Sequence, residues 1–325
     1  MTRRRAALAA FIYFAFGVAG GNVLGQPAPN KVARLMVGHG PGGQADTVAR
    51  VLAPKLAELW GRPVVIENRV GAAGIISANH VAKSPPDGLT LLVATSTNLA
   101  IAAVIVRTPP FDPTNDLAMI TRIVSIPTVL AVASRLPVQS VAQVVDYAKS
   151  RPAQLAGASS GIGSSSGFTL EMFKTAADID ILQVPYNGLG PAVMGLLSGQ
   201  VDVIFADHSL LKPHVKSGAV RLLAAVGSRR LAVAPELPTM RELGFDVTID
   251  STLGVAAPAG TPPETIERLA RDIRLVLRSP DVRRQLVDGG FDPIEDTPAQ
   301  FAIVLRQDIE KFGVVARRLG LDATN

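Results

Sequence analysis

The 325-residue sequence contains no cysteine, which excludes disulfides and thiolate metal sites and is compatible with an oxidising compartment. Histidine is scarce, with four in the chain, and no two have the spacing of metal ligands, so no metal centre is expected. Aromatic residues make up 5% and charged residues 18%. The formal charge of +5 falls to +2 once Arg3, Arg4 and Arg5 of the leader are set aside. That excess is too small for nucleic-acid binding, and no basic stripe interleaves with the aromatics. No long apolar run follows residue 30, so nothing there is a candidate membrane span. What is abundant is apolar surface: 48% of the residues are hydrophobic, over a length sufficient for two domains with a large core.

The amino-terminal 25 residues have the form of a secretory signal. A basic Thr2-Arg3-Arg4-Arg5 start is followed by an apolar run over 6–19 and small residues through Gly25. A short linker at 26–30, Gln26-Pro27-Ala28-Pro29-Asn30, leads into the mature chain, which is expected in the periplasm. From there, β-branched runs alternate with helical patterns, the signature of parallel sheets with crossover helices. Strands are predicted at 33–37, 64–67, 89–94, 129–133, 155–159, 181–184, 201–205 and 221–225, after which irregular chain leads to the segment 252–256. The first helix is predicted over 45–60, with Val48, Val51, Leu52, Leu56 and Leu59 on one face and a glycine-then-proline stop at Gly61-Arg62-Pro63. Three helices close the chain. Thr261-Pro262-Pro263-Glu264 and Thr297-Pro298-Ala299-Gln300 read as the caps of two of them. The pattern pauses at 125–127 and again after Gly227, so two lobes are expected: residues 31–124 with 229–325 in one, residues 125–228 in the other.

Two motifs invite an enzymatic reading. Gly38-His39-Gly40-Pro41-Gly42-Gly43 matches a dinucleotide fingerprint between strand and helix, with Glu67 ending the next strand. Export away from the cytoplasmic cofactor pool and the proline in the loop argue against it, and no cofactor is expected. Gly163-Ser164-Ser165-Ser166-Gly167 matches a nucleophile elbow, with Asp202, Asp207, His208 and His214 downstream. The run of Ser and Gly over 159–167 describes more economically an anion nest of hydroxyls and amides, so a hydrolase is the alternative and no catalytic residue is assigned.

Five strand-end loops share one chemistry: Pro41-Gly42-Gly43, Thr95-Ser96-Thr97-Asn98, Ser164-Ser165-Ser166, Tyr186-Asn187-Gly188, and the segment ending at Asp207-His208. In open α/β sheets ligands gather at this edge. None of these loops holds an arginine or lysine, so a bound anion would be held by neutral N–H and O–H donors, including the amides of Gly43, Gln44 and Ala45 at a helix start. Asp46 either caps that helix or contacts the ligand. Asp207 either accepts from an amino or hydroxyl group or caps the next helix. Tyr186 either closes over the ligand or packs as a loop aromatic.

At these loops the sequence resembles the Bug-type receptors of tripartite tricarboxylate transporters. The resemblance runs from Arg34 to about Leu319 and rests on Pro41-Gly42-Gly43 with Asp46 and Ala49-Arg50; Gly61-Arg62-Pro63-Val64-Val65-Ile66-Glu67-Asn68-Arg69; Pro86-Asp87-Gly88; Val184-Pro185-Tyr186; and Gly199-Gln200-Val201-Asp202. It implies an α/β type II periplasmic-binding-protein fold, two lobes clamping a small carboxylate. The ligand would be gripped by the turn at 41–43 and the loop at 164–166, with residues near Asp207 setting selectivity. The implied partner is a membrane permease of a tripartite transporter; a membrane sensor is the alternative partner. The chain departs from the family where Gly38-His39-Gly40-Pro41 replaces the usual Pro-Phe-Pro, and where Gly167 and Thr95-Ser96-Thr97-Asn98 replace segments that usually carry histidine.

Overall fold

A computed structural model describes residues 31–161, 163–318 and 320–321. The signal and linker expected over 1–30 lie outside the described residues. Among those described, no helix is long and apolar enough to cross a membrane.

The chain builds two mixed sheets. The first comprises β1 (Ala33–Val37), β2 (Val64–Asn68), β3 (Thr90–Thr95), β4 (Leu117–Ser125), β10 (Thr252–Pro258) and the two-residue β11 (Asp292–Pro293), in the order β11-β4-β10-β3-β1-β2. The second comprises β5 (Thr128–Ala133), β6 (Ala156–Ser159), β7 (Leu182–Pro185), β8 (Val203–Asp207) and β9 (Val220–Ala225), in the order β7-β6-β8-β5-β9. The eight predicted strands agree with the structure to within two residues; β4 and β11 were not anticipated, and β10 falls on the segment singled out at 252–256. β4 carries Thr121 and Arg122 in mid-strand, which interrupts its apolar run.

The expectation of parallel sheets needs correction. β1, β2 and β3 pair in parallel, as do β6, β7 and β8, but β10 runs antiparallel to β3 and β4, and β5 antiparallel to β8 and β9. β10 and β5 are the strands on which the chain enters from the other sheet. Neither follows a crossover helix, so neither is constrained to the parallel direction.

The return to the first lobe also comes later than expected. After β9, residues 229–249 stay on the second sheet: Met240 N–H donates to the Ala225 carbonyl and Ile249 N–H to that of Val226. Met240, Val247 and Ile249 are fully buried with Phe205 and Phe173, and Phe245 meets Phe173 edge to face. These apolar side chains find their core in the second lobe, so the chain leaves it at Asp250–Ser251 rather than at 228. There Ile126 N–H donates to the Ser251 carbonyl, and the two crossings run side by side.

Helix α1 (Gln44–Trp60) covers β1 and β3 with Val48, Leu52 and Leu56 and ends at Gly61, which adopts the left-handed conformation (φ 61°) that the glycine stop foretold. The closing helices are α8 (Pro263–Leu277), α9 (Pro280–Asp288) and α10 (Pro298–Arg318). Thr297 and Gln300 form the expected capping box, the Thr297 hydroxyl accepting from Gln300 N–H and the Gln300 amide oxygen from Thr297 N–H. Thr261 does not cap α8. Pro262 occupies the cap position, and the Thr261 hydroxyl donates instead to the Pro258 carbonyl. Phe312 of α10 meets Phe168 of α5 (Ser165–Ala177) edge to face, with centroids 5.9 Å apart; the last helix thus joins the two lobes.

Candidate functional site

The two sheets present their strand carboxyl ends to a shared pocket of about 600 Å³. The first lobe contributes the turn at 38–40, after β1, and the segment 70–72, after β2. The second contributes Ser160 and Gly161, after β6, and 185–188, after β7. Among the described residues, no lysine, arginine, aspartate or glutamate lines it.

The turn at 38–46 is held by one carboxylate. Asp46 is buried and accepts from Gly42 N–H at 2.9 Å, from the Asn68 side chain at 2.9 Å, and from Arg50 through Nε at 2.7 Å and Nη2 at 2.9 Å. The Arg50 hydrogen bond, against the opposing effect of burial, holds its pKa down to about 2. Asp46 therefore positions the turn, and its engagement with protein donors on both oxygens corrects the ligand-contact expectation. The turn is further closed by Gly43 N–H donating to the Gly40 carbonyl. The amides of Gly42 and Gly43 are thereby consumed internally. The free donors are those that follow: among the described residues, Gln44 and Ala45 N–H make no backbone hydrogen bond, as expected at a helix start.

The serine loop is organised in the same way. Ser164 caps α5, accepting from Gly167 N–H and donating to the Gly161 carbonyl. The Ser166 hydroxyl accepts from Ser160 N–H at 2.9 Å and lies 3.0 Å from the Ser160 hydroxyl. Ser164 and Ser166 thus shape the Ser160–Gly161 turn that lines the pocket, while Ser165 opens the helix. Among the described residues, no histidine is hydrogen-bonded to serines 164–166. Glu67 pairs with Arg69 and Arg34, away from a ribose role.

Thr95-Ser96-Thr97-Asn98 is not a loop. β3 passes directly into α3 (Ser96–Ile105), and the fully buried Ser96 hydroxyl lies 2.7 Å from that of Thr252 on β10. Ser96 is therefore turned into the sheet rather than toward a ligand. Thr95 and Asn98 border a small cavity of about 10 Å³ behind His39. Tyr186, Asn187 and Gly188 do line the main pocket, but the Tyr186 hydroxyl donates to Gln200, and that end of its ring packs against Gly195 of α6 (Leu189–Ser198).

Asp207 ends β8 and makes no cap hydrogen bond to α7 (His208–Lys216). It is buried, and its Oδ2 accepts from the side-chain amide of Gln44, at the start of α1 in the other lobe. Burial raises its pKa to about 7 against the lowering effect of that bond. This contact spans the lobes beside the pocket.

The sequence reading anticipated the Gln44 amide and the Ser and Gly run over 159–167, but did not single out Gly38, His39 or Gly40 as pocket-lining, the segment 70–72, or the contact of the Gln44 side chain with Asp207. The rule that found the other loops, the carboxyl end of a strand, applied to β2, would have found 70–72.

A family model described as the tripartite tricarboxylate transporter family receptor matches residues 48–321. The chain belongs to this receptor family. Similar proteins include BugT of Bordetella pertussis, 34% identical over 322 residues and covering 98% of both chains. A solved structure of R. palustris Rpa4515 with adipate is 33% identical, with a TM-score of 0.80 over 90% of this chain and 98% of that one. The periplasmic binding protein BugD is 26% identical, with a TM-score of 0.77 over 90% and 99%. The receptor thus has the two-lobed periplasmic-binding-protein fold of a family of solute-binding proteins, not of enzymes.

Proposed function

We propose that this receptor captures a small carboxylate in the periplasm and presents it to the membrane permease of a tripartite tricarboxylate-type transporter. The observation that carries the reading is the pocket between the lobes, walled by turns that open α1 and α5 and, among the described residues, free of lysine and arginine side chains. Helix-start amides and hydroxyls favour an anion there, and the adipate held by the R. palustris relative has this chemistry. The lobes close about the paired crossings at 126–127 and 250–251. Closure is driven by the ligand's preference for the closed state, and Gln44 and Asp207 meet across it. The ligand contacts proposed are the amides of Gln44 and Ala45, the Ser160–Gly161 turn with Ser165, and Tyr186, Asn187 and Gly188, with Asp207 acting on selectivity.

The test is thermal denaturation of the mature protein, freed of copurified ligand, against adipate, malate, glutamate, benzoate and their neutral amides. A ligand binding only the native state raises the melting temperature. Stabilisation by an acid and not by its amide supports the reading, and no shift with any acid refutes it.

A further inference from the structure

On the first lobe's side of the pocket, among Gly38, His39, Gly40 and residues 70–72, only His39 has a polar side chain. His39 borders two spaces at once, the main pocket and the small cavity lined by Thr95 and Asn98. Its Nδ1 is buried and makes no hydrogen bond to any described residue, a state that costs free energy until a polar group reaches the ring.

The ionisable groups around the turn are engaged elsewhere: Asp46 with Arg50, Glu67 with Arg69, Asp207 with Gln44, and the Tyr186 hydroxyl with Gln200. His39 is therefore the one pocket-lining side chain, among the described residues, that can become a cation. Burial alone lowers its pKa, with no charged neighbour contributing, so the ring is neutral in the unliganded protein.

We propose that His39 is a ligand-contacting, specificity-determining residue: its imidazole takes a proton from solvent as the acid binds and donates an N–H hydrogen bond to an anionic oxygen of the ligand. The inference rests on the carboxylate reading of the pocket. It supplies the countercharge that the pocket otherwise lacks, and it favours an acid over its neutral amide through a charge-assisted bond. Affinity consequently rises as pH falls, because the bound state holds one more proton than the free state.

The experiment is isothermal titration calorimetry of the mature protein with adipate, malate, glutamate and benzoate, at pH 7 in two buffers of different ionisation heat, which counts protons taken up. The expected result is proton uptake with the binding acid. In His39→Gln the uptake is lost and affinity falls about ten-fold or more. Asp207→Asn is the control, since burial raises Asp207 to about 7 and it also exchanges a proton near that pH; uptake persisting in it assigns the proton to His39, and uptake lost in it overturns that assignment.

An acid that binds wild type and His39→Gln alike, with the same proton count, overturns this inference and leaves the carboxylate reading standing. Failure of every acid to bind folded wild type overturns both. Should His39→Gln not fold, the imidazole resonances of wild type decide. With His80, His208 and His214 assigned by substitution, a His39 signal unmoved by a bound acid overturns the inference, and a shift toward the protonated form sustains it.

Discussion

Replacing Asp46 by asparagine removes one charge and leaves the volume nearly unchanged, so its effect isolates the hydrogen bonds that shape the first ligand-facing turn. Oδ1 accepts from Asn68 and from Arg50 Nη2, and Oδ2 from Gly42 N–H and Arg50 Nε. Whichever way the amide is turned, its NH2 group faces two donors, and two of the four bonds are lost. A hydrogen bond to a charged group contributes about 1.5–3 kcal/mol. The share from Arg50 is smaller, because its side chain is 56% exposed and its guanidinium rehydrates. The expected loss is about 2–3 kcal/mol, which lowers the melting temperature by roughly 3–5 °C in a chain of this size.

The pH dependence provides a second reading of the same substitution. The folded-state pKa of about 2 lies below the unfolded value of 3.8, so this stabilisation is present above pH 4 and disappears as pH falls toward 2. Urea denaturation at pH 7 and at successively lower pH measures both effects. A loss under about 0.5 kcal/mol at pH 7, or a gap between wild type and Asp46→Asn that does not narrow on acidification, refutes the assignment of Asp46 as the keystone of the turn.

Asp207 has the opposite sign. Its pKa of about 7 in the fold exceeds the unfolded 3.8, so the folded state binds the extra proton and stability falls as pH rises from about 4 to 7. Asp207→Asn is expected to flatten that slope and to melt higher than wild type at pH 8, the two converging at pH 4 in thermal scans. Gly254→Ala places a Cβ 2.3 Å from the Phe301 ring of α10, and the overpacking is expected to cost about 1–3 kcal/mol in denaturant unfolding. Ser164→Ala removes the α5 cap and is expected to cost about 1 kcal/mol, whereas Ser165→Ala, with no side-chain hydrogen bond recorded in the described structure, leaves stability unchanged and tests whether that hydroxyl serves only the ligand.

The positions of most strands, the α1 stop at Gly61, the Thr297–Gln300 capping box and most of the polar strand-end loops were legible in the sequence. Each depends on interactions within a few residues: alternation along a strand, a left-handed glycine, a hydroxyl reaching three amides ahead. The family was legible for a related reason, since its motifs sit in those local turns. Strand direction in β5 and β10, the retention of 229–249 on the second lobe and the passage of β3 straight into α3 were decided by packing between segments far apart in the chain. The same holds for the site. Asp46, Ser96 and Asp207 are all short polar residues at strand or helix ends, and nothing local distinguishes them. Asn68 and Arg50 turned the first into a strut, Thr252 drew the second into the sheet, and Gln44 met the third across the lobes, because a buried polar atom takes whichever partner the tertiary structure brings within reach.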